Sequence, residues 1–261
     1  MKFHLALSAF VTLLVVIGTD VSAETITHAQ YSNPVGRYGH FAPGQPHEYS
    51  DLVVTTDTGR RLVLQLPEDE VFEDVKPRLI RLARGEPETI LTIVSSRGSG
   101  SRLAVIGLDG DQLKINAQSR PIGIPMRWLN PVGVTDLDGD GRAEITAVIT
   151  PHIGGTLKVY RRTGINLVEI SALAGFSNHI YGSPELRLST PASIAGKMRL
   201  LVPDVMRQNL RVIAFADDSL METGRCALGS PVTGAITLIS PLEISVELST
   251  GQQLIDLNDC L

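Results

Sequence analysis

The feature that most constrains this chain is a repeat. Leu103 and Leu113, Leu157 and Leu167, and Leu210 and Leu220 form three pairs with one internal spacing. Each pair follows a β-rich tetrapeptide, "RLAV", "TLKV" and "NLRV". Successive copies stand 54 and 53 residues apart, and Pro77, Pro131 and Pro184 mark the unit starts with the same two intervals. A fixed period of this kind means that one supersecondary unit is copied along the chain. Within the middle copy, short β-branched runs at about 131–136, 144–150, 156–162 and 166–172 predict four strands. The third and fourth are joined by "RRTGIN", with Thr163-Gly164 at the turn, and the first copy has Asp109-Gly110 there, a type I′ hairpin signal. Four-stranded antiparallel units of about 53 residues predict an all-β chain, a small β-propeller of four to five blades. The units run at about 24–76, 77–130, 131–183, 184–230 and 231–261. "DTGRRL" (57–62) and "STGQQL" (249–254) repeat the hairpin theme near the two ends, which predicts an outer hairpin at 50–67 and ring closure by pairing the ends of the chain.

"VTDLDGDGRAEITAV" (134–148) crowds Asp136, Asp138, Asp140 and Glu144 into nine residues. Carboxylates on alternate residues of a looped backbone can converge on one hard cation, and calcium takes six to eight such oxygens. Gly139 and Gly141 permit the positive φ angles of a tight wrap. An EF-hand is excluded, because its twelfth position should be a bidentate Glu and here is Ala147, and because the flanks read as strands. The Asp-x-Asp-Gly-Asp-Gly-x-x-Glu pattern between strands resembles the FG-GAP or VCBS repeat, the calcium loop of integrin-like β-propellers. The resemblance implies one structural calcium per chain, held by Asp136, Asp138, Asp140, Glu144 and the backbone carbonyl of Arg142. The family often has Asp where Glu144 stands. It also implies a scaffold for adhesion or ligand recognition. The equivalent loops of the neighbouring units have lost the acids: Arg81, Ala83 and Arg84 replace them in one, and Ser189, Pro191, Ser193 and Lys197 stand in the other. Arg81 is placed to pair with Glu88 in lieu of a metal.

The N-terminal "MKFHLALSAFVTLLVVIGTDVSA" has Lys2, an uncharged apolar run from Leu5 to Gly18 and a Val-Ser-Ala end, a signal-peptide pattern predicting cleavage after residue 23 and export to the periplasm or the extracellular space. No later segment is long and apolar enough to span a bilayer as a helix. Cys226 and Cys260 are the two cysteines, and in an oxidising compartment they are expected to form a disulfide stapling the last unit to its neighbour. A net charge of −5 without basic clusters gives no reason to expect nucleic-acid binding.

No nucleophile elbow, zincin motif or phosphate loop occurs. Tyr38, His40, His179 and Tyr181 lie in loops at unit boundaries, where a propeller presents its faces, and are the candidate ligand face. Trp128 reads as packing between units. The chain is therefore expected to be an exported, calcium-braced binding or scaffold module with a protein or polysaccharide partner. The alternative is a secreted hydrolase or lyase using the central face.

Overall fold

The computed structural model describes residues 24–261; the expected leader, residues 1–23, lies outside the described residues. The architecture is all-β, without an α-helix among the described residues. The first unit comprises β1 (Ile26–Val35), β2 (Glu48–Thr56) and β3 (Arg61–Gln65). β4 (Glu70–Phe72) follows, then β5 (Arg78–Ile80), β6 (Thr89–Ser96), β7 (Gly100–Asp109) and β8 (Gln112–Gln118). The third unit is β9 (Leu129–Thr135), β10 (Glu144–Ile149), β11 (Gly155–Thr163) and β12 (Asn166–Phe176), close to the strands read from the repeat. The fourth is β13 (Thr190–Ile194), β14 (Lys197–Pro203), β15 (Asn209–Ala216) and β16 (Ser219–Ala227). The last is β17 (Val232–Leu238), β18 (Glu243–Leu248) and β19 (Gly251–Asp256), ending in a turn of 3₁₀ helix.

Pairing within each unit is antiparallel between sequence neighbours. The first three units are linked into one twelve-stranded sheet, and the fourth and fifth form separate sheets. The links are thin: one pair, Tyr49–Phe72, joins β2 to β4, and one parallel pair, Gln118–Asn166, joins β8 to β12.

Burial shows how the units sit together. β6 and β10 are buried at every residue, because both faces of these strands are covered. Alternation along β6 sends Ile90 and Val94 into a core shared with the first unit, and Leu91 and Ile93 into a core shared with the third. In β10, Ile145, Ala147 and Ile149 face the second unit while Val148 faces the fourth. A further layer joins the fourth unit to the fifth through Leu201, Val212, Ile236 and Val246. The fourth strands β8, β12 and β16 are buried at only a few positions each, as expected for outer strands. The core is thus a succession of inter-sheet layers, each one a set of side chains of period two.

Two expectations need correction. Among the described residues the two ends do not pair: β1 pairs with β2 along its length, and β17–β19 form their own sheet. The segment 26–35 was not foreseen as a strand. It lies next to β2 in sequence, so local pairing closes a shorter loop than pairing across the whole chain would. The β7–β8 turn is centred on Gly110-Asp111 rather than Asp109-Gly110, since Asp109 pairs with Gln112; only Gly110 has positive φ, so the turn is not type I′. The counterpart in the fourth unit, Asp217-Asp218, does have positive φ at both positions. The Cys226–Cys260 bond is present and ties β16 to the 3₁₀ turn after β19.

Candidate functional sites

The acidic loop connects β9 to β10. Its backbone is folded by its own carboxylates. Asp136 accepts the amides of Gly139 (2.7 Å) and Gly141 (2.9 Å), Asp138 that of Asp140 (3.1 Å), and Asp140 that of Arg142 (2.7 Å). Gly139 (φ 83°) and Gly141 (φ 87°) supply the left-handed turns. Glu144 is fully buried and accepts the Leu137 amide at 3.1 Å, which closes the loop. The ligand atoms of Asp136, Asp138 and Glu144 all lie within 4.8 Å of one another. That spread suits oxygens sharing one calcium at 2.3–2.6 Å. Asp140 is outside this set.

A cation of the chain's own already balances these acids. Arg161, on β11, donates to Glu144 Oε1 (3.0 Å), to Asp138 Oδ2 (2.8 Å) and to Asp218 Oδ1 (3.2 Å) on the β15–β16 turn. Burial raises the Glu144 carboxyl above its ordinary range, and the Arg161 hydrogen bond works against that rise. The loop also docks on the second unit, where Ala143 donates to the Leu82 carbonyl at 2.7 Å. There Arg81, half exposed, stands 3.7 Å from the partly exposed Glu88, as the pairing read from the sequence requires.

The second site lies where connections between units converge. His40 comes from the β1–β2 connection, Trp128 from just before β9, His152 from the β10–β11 connection, and His179 and Tyr181 from the segment after β12. Of the expected face, His40 and Tyr181 meet, with ring centroids 5.6 Å apart. Tyr38 and His179 are buried behind them. The Tyr38 hydroxyl accepts the Met126 amide at 2.9 Å, and burial pushes it up to about 12. His152 stands in front of His179 and is the residue the sequence reading left out of the face.

The polar wiring is specific. His179 Nε2 lies 2.8 Å from the Ser183 carbonyl, and His179 Nδ1 lies 2.7 Å from His152 Nε2. Trp128 stacks parallel on His152 (centroids 6.0 Å, 3° between planes) and its indole N–H donates to the Glu73 carbonyl at 2.8 Å. Burial lowers His152 to about 3 and His179 to about 4, so both imidazoles are neutral at pH 7. Glu73, fully buried, accepts the Ala42 amide (3.1 Å) and the Ser95 hydroxyl (2.6 Å) and stands 2.8 Å from His40 Nδ1. That last approach lies off the ring N–H direction, so Nδ1 gains a charge contact rather than a linear hydrogen bond. Glu73 follows the apolar "EVF" of β4, and nothing in its local sequence marks it as different from any other acid. Buried Glu48 shapes the same connection by accepting the amides of Gly39 (3.0 Å) and His40 (3.1 Å).

His40, Trp128, His152 and Tyr181 line a cavity of about 180 Å³ with Met126 and Thr150. Two larger cavities are less convergent. One, of about 700 Å³, lies between the fourth and fifth units, with apolar and small polar side chains; the other, of about 680 Å³, lies along β8 and β12.

No family model matches this chain, and no curated protein matches it. Solved structures do match, among them the crystal structure of a protein from Bacteroides fragilis designated a 6-phosphogluconolactonase. The two are 14% identical over 82% of this chain and 66% of that one, with a TM-score of 0.45. The chain thus spans just under two thirds of that protein.

Proposed function

We propose that this chain is an exported, calcium-braced β-propeller that acts as a binding module, with its ligand taken on the central face. The observation that carries the binding reading is the convergence of His40, Trp128, His152 and Tyr181, from four separate connections, on one cavity. Propellers bind at such loop clusters, and the stacked units with covered inner strands support that architecture. The calcium reading rests on Asp136, Asp138 and Glu144, whose oxygens converge, with Asp140 and the Arg142 carbonyl completing the set that the repeat pattern implies. The ion would pin the β9–β10 connection and release Arg161 from Asp138 and Glu144. The disulfide is in keeping with export, and no helix among the described residues is long and apolar enough to cross a membrane.

Calorimetric titration tests the brace. One calcium per chain is expected for the wild type and none for Asp138→Ala; a second site, or an unchanged response in the variant, would place the metal elsewhere. The hydrolase or lyase alternative draws on one observation, the approach of Glu73 to His40 beside the cavity, which sets a carboxylate in contact with a candidate imidazole base. Turnover of ester or glycoside substrates that is lost in His40→Gln would favour it over pure binding.

A further inference from the structure

The cavity's hydrogen-bonding character is set by its wiring, and this identifies a ligand class. A backbone carbonyl only accepts, so His179 must carry its proton on Nε2 to meet Ser183. As a neutral ring it then offers a lone pair at Nδ1, so His152 must carry its proton on Nε2 to meet it. His152 Nδ1 is left as a lone pair. The Glu73 carboxylate, 2.8 Å away, likewise holds a His40 proton on Nδ1, and Nε2 is the ring nitrogen left to meet a ligand. Among the described residues neither of these two nitrogens has a protein hydrogen-bond partner, and neither is sealed from solvent.

Both rings line the same cavity, beside the exposed ring of Tyr181, with Trp128 buried beneath His152. Tyr181 is 56% exposed, and neighbouring Met126 and Ile153 are also exposed, so an apolar rim surrounds the two histidines. The backbone there is strained as well. Met126 and Thr150 both take φ 54°, a costly value for a β-branched residue such as Thr150.

We propose that this cavity binds one neutral, ring-sized polyol, a monosaccharide or the terminal unit of a glycan. One hydroxyl donates to His152 Nδ1, another meets the ring edge of His40, and its C–H face packs on Tyr181. This rests on the binding-module reading above and names its ligand. Charge is selected against in both directions. An anion meets the His152 lone pair with the Glu73 carboxylate close by. A cation finds no free carboxylate, because Glu73 is sealed from solvent and its oxygens are committed to Ala42, Ser95 and His40. The volume falls below that of drug-sized pockets and suits a single ring.

Trp128 is the chain's single tryptophan, so its fluorescence reports on this cavity alone. The exported protein would be titrated with glucose, galactose and mannose, their methyl glycosides, and glucosamine and glucuronate as charged counterparts. At least one neutral sugar should give a saturable change, and the charged counterparts should bind at least tenfold more weakly. A preference for methyl glycosides over free sugars would identify a glycan terminus as the source; equal binding would identify free monosaccharide. His152→Phe keeps a ring on Trp128 and removes the lone pair. It should weaken binding tenfold or more with an unchanged calcium response, and the lost hydrogen bond to buried His179 should lower the melting temperature without unfolding the chain. Long-range ¹⁵N–¹H correlation should show both His152 and His179 protonated on Nε2. No saturable binding of any neutral sugar at up to tens of millimolar, equal binding of the charged ones, or a proton on His152 Nδ1 would overturn the proposal. Sugar binding without a calcium response would sink the brace alone, and the converse would sink the polyol site alone.

Discussion

Arg161→Ala separates the two cations that can serve the acidic loop. Glu144 is sealed from solvent, while the Arg161 side chain is 26% exposed. Removing one partner of a fully buried pair costs about 3–5 kcal/mol and of an exposed pair about 0–1 kcal/mol, so a half-buried case should lie near 2 kcal/mol. For a chain of this size that is about 4–8 °C in melting temperature. The pH dependence has a definite sign. The folded-state pKa of Glu144 is raised above its ordinary value of 4.5, so its contribution to stability is fully present below 4.5 and is lost as pH rises through the folded value. Losing Arg161 raises that value further. The variant's deficit should therefore be full at pH 7 and fade as pH falls towards 4.5. Calcium should then substitute for the lost guanidinium. At a free level ten times its dissociation constant, one ion restores about 1.4 kcal/mol. The assay is thermal unfolding of wild type and variant, in chelator and in calcium, at pH 7 and pH 4.5. An unchanged melting temperature in chelator would show that Arg161 does not balance the loop. A deficit that calcium leaves untouched would show that the ion does not bind beside Glu144.

Reducing the Cys226–Cys260 bond, with partners 34 residues apart, should cost about 3.8 kcal/mol by loop entropy, read as a lower denaturation midpoint in dithiothreitol. His152 and His179, depressed from 6.5 to about 3 and about 4, contribute stability that is present above pH 6.5 and lost as pH falls through those lower values. The slope should reach about 1.4 kcal/mol per pH unit per group, and His152→Phe should flatten its share of an acid-unfolding profile. Gly44→Ala would place a Cβ 2.2 Å from the Gly182 carbonyl oxygen at a residue with φ 78°, so it should destabilise by about 1–3 kcal/mol in chemical denaturation and loosen Tyr181. Intact mass of exported protein should begin at Glu24; a retained leader would refute the cleavage site.

Local chemistry is legible in a sequence when it is contiguous. The β9–β10 loop was readable because its acids and glycines fold it through bonds two to five residues long, and the strands of the third unit because alternating and β-branched runs are local signals. The disulfide followed from there being only two cysteines. Three things needed the tertiary structure. Arg161 reaches Asp138 and Glu144 only because β11 pairs beside β10, and Asp218 joins them from another unit. Glu73 and His152 carry no local mark; they matter because separate connections bring them against His40 and His179. The edge of β2 went to β1 rather than to the end of the chain, since neighbouring segments close short loops at lower entropic cost. Sequence period determined the unit, and packing between units decided which side chains meet.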